Sequence, residues 1–331
     1  MESVTMDPAL FTFRLPLVRP LPLRGGVTLT EREGCLVRAA RADGSIGWGE
    51  ASPLPTFNRE TMDDVIREVV AWADSGALPQ MPSARFAVES ATRKHWPTTR
   101  DAVVRLNGLL VASNAAPEQA RRLAEAGYRA VKLKVGSADV QTDIARVQVV
   151  HNALNGRATL RLDANRQWTW AQATRFAEGI QEHHIEYIEE PLADASRLAE
   201  FVASTSVPIA LDESVLEMTP AQLQDHAYAT AIVLKPTFGG GWTWAEAWHA
   251  AASALGMEVI LSAAFESGVG LQHLVAMAAQ FADGVPVGLD TYRWLAADLL
   301  RPRLALAQPT LNVADVLRHT AVDEGLLTRI A

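Results

Sequence analysis

The stretch AVKLKVG, residues 130–136, has the make-up of a buried strand, yet it sets Lys132 and Lys134 two positions apart. Side chains two apart on a strand point the same way. Two ammonium groups therefore face the same way, and the question is why an apolar strand would place them side by side.

Similar short apolar runs lie on either side. From about residue 102 they read VVRLNGLL, AVKLKV, ATLRLDAN, IEYIEE, VPIALDES, AIVLKPT, MEVILSAAFES and VPVGLDTY. Segments of helical periodicity separate them, among them PEQARRLAEAG, TWAQATRFAEGIQEH and WTWAEAWHAAASALG. Eight such units predict an α/β fold, a (β/α)8-type TIM barrel over residues 101–290. The eighth run is the weakest strand, thinned by Pro286 and Gly288. A doubly wound sheet is the second choice, but no Gly-x-Gly-x-x-Gly follows any run. Gly239–Gly241 reads as a loop before a helix or as close backbone approach to a ligand.

Residues 1–100 show no such alternation. CLVRAARADGSIGWGEASPLP reads as two strands around an Asp43-Gly44 turn. RETMDDVIREVVAWADSG and ARFAVESATRKHW read as helices. This predicts an α+β capping domain, joined by the tail 291–331.

The formal net charge of -8 argues against a nucleic-acid partner. Cys35, the single cysteine, excludes an intramolecular disulfide and a thiolate zinc site. The N-terminal stretch has no secretory leader pattern, and no apolar run reaches the ~18 residues of a membrane span. A cytoplasmic protein is expected; no oligomeric state is implied.

In a barrel the C-terminal ends of the strands build the active site. Here they carry Lys132 and Lys134, then Asp163, Glu189-Glu190, Asp212-Glu213, Lys235 and Ser262. A Lys-x-Lys alone is commonly a solvated pair, and a strand-end Asp commonly caps a helix. The order cation, anion, anion, anion, cation on consecutive strands is less ordinary. Three carboxylates at one mouth repel unless a cation sits among them, and hard oxygen donors suit Mg²⁺, with Mn²⁺ as a substitute. Asp163, Glu189 and Asp212 are 26 and 23 residues apart, about one βα unit each, which favours them as metal ligands. Glu190 then points into the layer behind or supports the ligands, and Glu213 is the neighbour of Asp212.

A lysine beside another lysine and a divalent cation has its pKa lowered and can act as a base. Lys132 and Lys134 flank the carboxylates on one side and Lys235 on the other. A small-molecule carboxylate bound between them can lose an α-proton. Candidate substrate contacts are Arg161, Ser262, Gly288 and the cap-loop residue Phe57, with Asn58 beside it. Arg161, two before Asp163, reads equally as an electrostatic guide or as a salt-bridged core arginine. Trp168 and Trp170 read as helix packing, and His183-His184 as a polar helix end.

These residues resemble the enolase superfamily, in the branch with Lys-x-Lys on the second strand and Lys on the sixth. GWGEASPLPTFNRET, KLKVG, LRLDANRQW, IEEPL, ALDES, VLKPT, SAAFESGVGLQHL and VGLDTYRWL carry the likeness over nearly the whole chain. It implies a capped barrel in which Asp163, Glu189 and Asp212 hold Mg²⁺, Lys134 is the base and Lys235 stabilises charge from the opposite face. The implied reaction is dehydration of 2-succinyl-6-hydroxy-2,4-cyclohexadiene-1-carboxylate to o-succinylbenzoate, in menaquinone biosynthesis. Relatives often carry Ser-Ser after the seventh strand; here it is Ser262-Ala263. The alternative is a racemase or epimerase of N-acylated amino acids or dipeptides on the same scaffold. A non-catalytic barrel would have lost one of these groups, and all are present.

Overall fold

The computed structural model describes residues 8–93, 102–111, 113–282, 284–306, 308–318 and 321–331. The expected domain boundary at 100–101 lies outside them, as do residues 94–96 of the second expected helix and the first seven residues of the N-terminal stretch.

Strands β1 (Ala9–Pro22), β2 (Thr28–Ala40) and β3 (Ile46–Ala51) form an antiparallel meander. Gly44, at φ 81°, turns the hairpin between β2 and β3. Helices α1 (Met62–Ser75) and α2 (Pro82–Thr92) follow. Alternation divides the sheet between two cores. Leu10, Cys35 and Val37 pack with Val65, Val69 and Ala87 of the helices. Phe11, Phe13, Leu15 and Leu36 face the other way, into the large core of the barrel.

The run VVRLNGLL is not one strand. β4 (Val103–Arg105) leaves the barrel, and β5 (Gly108–Leu110) enters it. Then come α3 (Ala116–Glu125), β6 (Ala130–Lys134), α4 (Val140–Leu154), β7 (Thr159–Asp163), α5 (Trp170–Gly179), β8 (Tyr187–Glu189), α6 (Leu198–Thr205) and β9 (Ile209–Leu211). Two 3₁₀ segments, Glu213–Leu216 and Pro220–His226, follow β9 where a helix is usual. β10 (Ala231–Leu234), α7 (Pro236–Gly239), α8 (Gly241–Ala254), β11 (Glu258–Leu261) and α9 (Gly268–Phe281) complete the series.

Strands β5 to β11 form a parallel sheet in sequence order. The eighth stave is only Val287 and Gly288. They bridge Leu106 on one side and Ser262 on the other, and this closes the barrel. Four backbone bonds of 2.8–2.9 Å hold it: Asn107 N–H to Val287, Val287 N–H to Arg105, Gly288 N–H to Leu261 and Ala263 N–H to Gly288.

Beyond it, β12 (Thr310–Asn312) pairs antiparallel with β4, and α10 (Val313–Arg318) packs on α9. β13 (Leu327–Arg329) pairs antiparallel with β1 as the fourth strand of the N-terminal sheet. No helix among the described residues is long and apolar enough to cross a membrane.

Candidate active site

Strand register sets the site. Lys134, Asp163 and Glu189 lie on one rung across β6, β7 and β8, and Lys132, Arg161 and Tyr187 on the rung beneath. Ala210 of β9 is level with Glu189, and Asp212 stands two residues beyond it. Above these rungs is a cavity of about 560 Å³. Lys132, Lys134, Asp163 and Lys235 reach its floor; Ser262 and Gly288 line it, and Leu54 and Phe57 wall it from the cap side.

Asp163, Glu189 and Asp212 are only 3%, 2% and 3% exposed. Lys132 Nζ lies 2.9 Å from Asp163 and 2.5 Å from Glu189. Lys235 Nζ donates to Asp212 at 2.7 Å. Lys134 Nζ donates instead to the neutral Asn165 side chain, at 2.9 Å.

These contacts reorder the charges. Burial alone would lower the Lys132 and Lys235 pKa values; the carboxylates outweigh it, and both are raised. The lowered pKa expected of a paired lysine therefore does not apply to these two while they are ion-paired. Burial also works to raise Asp163, but Lys132, Lys134 and Lys235 outweigh it and its carboxyl falls. Glu189 rises, chiefly by burial, with Asp163 and Asp212 adding to it against Lys132.

Among the described residues no three His, Cys, Asp or Glu side chains stand ready as a metal cluster. The expected triad is instead threaded by ammonium groups. Its chemistry nonetheless fits a divalent ion. The donors are all carboxylate oxygens, and the Lys132 ammonium, itself a cation, is under the pull of all three.

Glu190 braces the loop that carries Asp212. Glu190, fully buried and at φ 39°, accepts from the backbone N–H groups of Asp212 (3.0 Å) and Ser214 (2.8 Å). Its other oxygen takes Arg166 Nε at 3.0 Å. Arg166 also binds Ser214 Oγ and Glu217. The loop after β7 thus pins the loop after β9.

Arg161 is a correction. It does not line the cavity but is fully buried below it, paired with Glu186 at 2.6 Å and donating to the Pro286 carbonyl at 2.6 Å. It ties β7 to the short eighth stave, the role of a core arginine. Trp168 packs on Phe176, and Trp170 on Phe201. His183 follows α5 and packs on His151. The close approach at Gly241 is to the cap, not to a ligand: a Cβ there would lie 3.0 Å from the Phe86 Cα of α2.

Asn107, Asn165, Phe238, Trp294 and Arg19 also line the cavity and were not expected there. Asn165 carried a signal, two residues past Asp163. Arg19 carried none, because its place depends on how the cap docks.

Residues 115–316 match the family described as enolase C-terminal domain-like, and residues 6–95 the one described as MenC, N-terminal domain. The o-succinylbenzoate synthase of Klebsiella pneumoniae (strain 342) is 32% identical over 307 residues, covering 88% of this chain and 95% of that relative. That of Edwardsiella ictaluri (strain 93-146) is 32% identical over 312 residues, covering 91% and 94%. The dipeptide epimerase from Enterococcus faecalis V583 superposes with a TM-score of 0.80 at 20% identity, covering 98% and 99%. The L-Ala-D/L-Glu epimerase from Bacillus subtilis gives 0.78 at 24%, covering 93% and 96%. At such identities the likeness is one of fold. The sequence relatives reach further: this chain belongs to the enolase superfamily and, within it, to the o-succinylbenzoate synthase family.

Proposed function

We propose that the protein dehydrates 2-succinyl-6-hydroxy-2,4-cyclohexadiene-1-carboxylate to o-succinylbenzoate, a step of menaquinone biosynthesis. Family membership implies a divalent-metal-dependent reaction. The observation that carries the residue roles is the unequal pairing of the three lysines. Lys132 and Lys235 are bound to carboxylates, whereas Lys134 donates to the Asn165 side chain.

Asp163, Glu189 and Asp212 would hold Mg²⁺, or Mn²⁺ in its place. Bound there, the ion supplies positive charge to a substrate carboxylate whose negative charge grows as the proton leaves. Lys134, in its neutral form, takes the proton from the carbon next to that carboxylate. The C–O bond to the ring hydroxyl then breaks, and the departing oxygen takes the proton back from Lys134 as water. The ring becomes aromatic. Lys235, from the opposite side of the carboxylates, presents its ammonium to the developing charge. Leu54 and Phe57 from the cap and Phe238 from the barrel give the cavity an apolar wall, and Ser262 and Gly288 bound it at the eighth stave.

A second reading rests on the epimerase folds named above, on which a lysine on each face would invert an α-carbon. One experiment separates the two. The protein is given the cyclohexadiene acid and, separately, each enantiomer of an N-succinyl amino acid in D₂O. Aromatisation at a kcat of about 1–10³ s⁻¹ with little α-exchange is expected. Rapid exchange of both enantiomers with negligible dehydration would overturn the synthase reading.

A further inference from the structure

Beneath the apolar wall of the cavity, where cap meets barrel, three charged side chains are buried together: Arg32 of β2, Glu50 of β3 and Glu266 before α9 are 2%, 1% and 1% exposed. We propose that this cluster holds the two facing loops that wall the cavity, and that Glu50 is a positioning residue for substrate binding.

Glu50 reaches from the cap into the first turn of α9. Its carboxylate accepts from the backbone N–H of Ser267 at 3.0 Å and of Gly270 at 2.9 Å. The Ser267 hydroxyl donates to it as well, and Ser52 Oγ does so at 2.8 Å. Every strong partner is a donor, and two are amides at the positive end of a helix, so an anion fits and a donor does not. Arg32 donates to the cap-loop carbonyls of Ser52 (2.5 Å) and Pro53 (3.1 Å), and to the barrel-loop carbonyl of Phe265 at 3.4 Å. Glu266 takes the Ala264 N–H at 2.6 Å and the Thr237 hydroxyl at 2.8 Å, two residues past Lys235.

The two loops so tied are the two sides of one wall. Leu54 of the cap and Phe238 and Ala264 of the barrel form a single apolar cluster, with Phe57 and Phe265 packed on it. The Phe57 and Phe238 rings stack at 6.2 Å. The spacing of this wall is thus set by Arg32, Glu50 and Glu266, none of which lines the cavity. Substrate contact with the wall is the part that rests on the function proposed above.

The test is Glu50→Gln, whose amide turns a donor toward the α9 amides. Two readouts are used, so that the assignment of substrate and the role of the cluster fail separately. Hydrogen exchange needs no substrate: amides in 52–58 and 264–270 should exchange at least about tenfold faster, with β6, β7 and β8 unchanged. Steady-state kinetics, on whichever substrate the wild type turns over, should show KM raised about tenfold and kcat within about threefold. If Glu50→Gln does not fold, Arg32→Lys, which keeps the charge but loses the fork, should give the same pattern more weakly. Unchanged exchange in both loops, unchanged KM, or loss of protection throughout the chain would overturn the proposal.

Discussion

The barrel mouth and the cap–barrel seam both bury carboxylates, and they satisfy them by different means. At the mouth, Asp163, Glu189 and Asp212 are met by the ammonium groups of Lys132 and Lys235, at the ends of long side chains. At the seam, Glu50 and Glu266 are met by backbone N–H groups and hydroxyls fixed in place. A carboxylate held by lysine can exchange one cation for another. A carboxylate held by amides cannot. The first arrangement suits chemistry, and the second fixes geometry.

The sharpest way to break this comparison is at Lys134. Among the described residues its side chain is bonded to the neutral Asn165 and to no carboxylate, so Lys134→Ala should leave the melting temperature nearly unchanged while lowering turnover at least ~10³-fold. A residual rate within tenfold of wild type would move the base elsewhere.

Next is Asp212→Asn, which strips the buried Lys235 ammonium of its counter-charge. Losing one partner of a buried pair costs about 3–5 kcal/mol, less here because Lys235 keeps some solvent contact. Urea unfolding in chelator should show this loss. Mg²⁺ should raise the wild-type melting temperature and do so far less for the variant.

The seam offers a test with protons. His273 on α9 is buried, and its Nε2 donates to the Trp48 carbonyl of the cap at 2.8 Å. Burial, chiefly, depresses its pKa from 6.5 to about 3. Below pH 6.5 the unfolded chain therefore binds a proton that the folded chain refuses. Stability should fall as pH drops from 6.5 toward 3, by up to about 1.4 kcal/mol per unit from this group. Denaturant midpoints across that window should fall less steeply in His273→Gln. Equal slopes would show that other groups dominate the acid limb.

The smallest effect is expected at Phe57→Ala, where KM should rise severalfold with kcat little altered, since a wall residue binds ground and transition states alike. An unchanged KM would leave the wall to Phe238 and Leu54.

The barrel was legible because its strands are short apolar runs with polar ends, and the charged ends came in strand order. The N-terminal sheet was less so. β1 carries Pro16, Pro20 and Pro22, which argue against a strand in a sequence. All three are exposed, and the β1–β2 register shifts between Pro16 and Leu21. The split of VVRLNGLL was hidden for another reason: β4 finds its partner β12 some two hundred residues later. At the site, the spacing of Asp163, Glu189 and Asp212 is a one-dimensional signal and could be read. Arg161 could not be placed, because facing the interior does not say which layer of it. Nothing in GWGEASPLP marks Glu50, because its partners Ser267 and Gly270 lie 217 and 220 positions along.

The pairing of β13 with β1 has a consequence for synthesis. Thr12 and Thr328 are partners across 316 residues. As the chain leaves the ribosome, β1 emerges before the barrel and waits for almost all of it before its second neighbour exists. Through that interval its outer edge is a template for any passing strand. Pro16 and Pro20, beyond the Phe11–Phe13 stretch that β13 pairs, have no amide hydrogen to offer such a strand, so the ladder it could build along β1 is short. The residues that obscured β1 in the sequence thus also limit how far a foreign strand could extend along it.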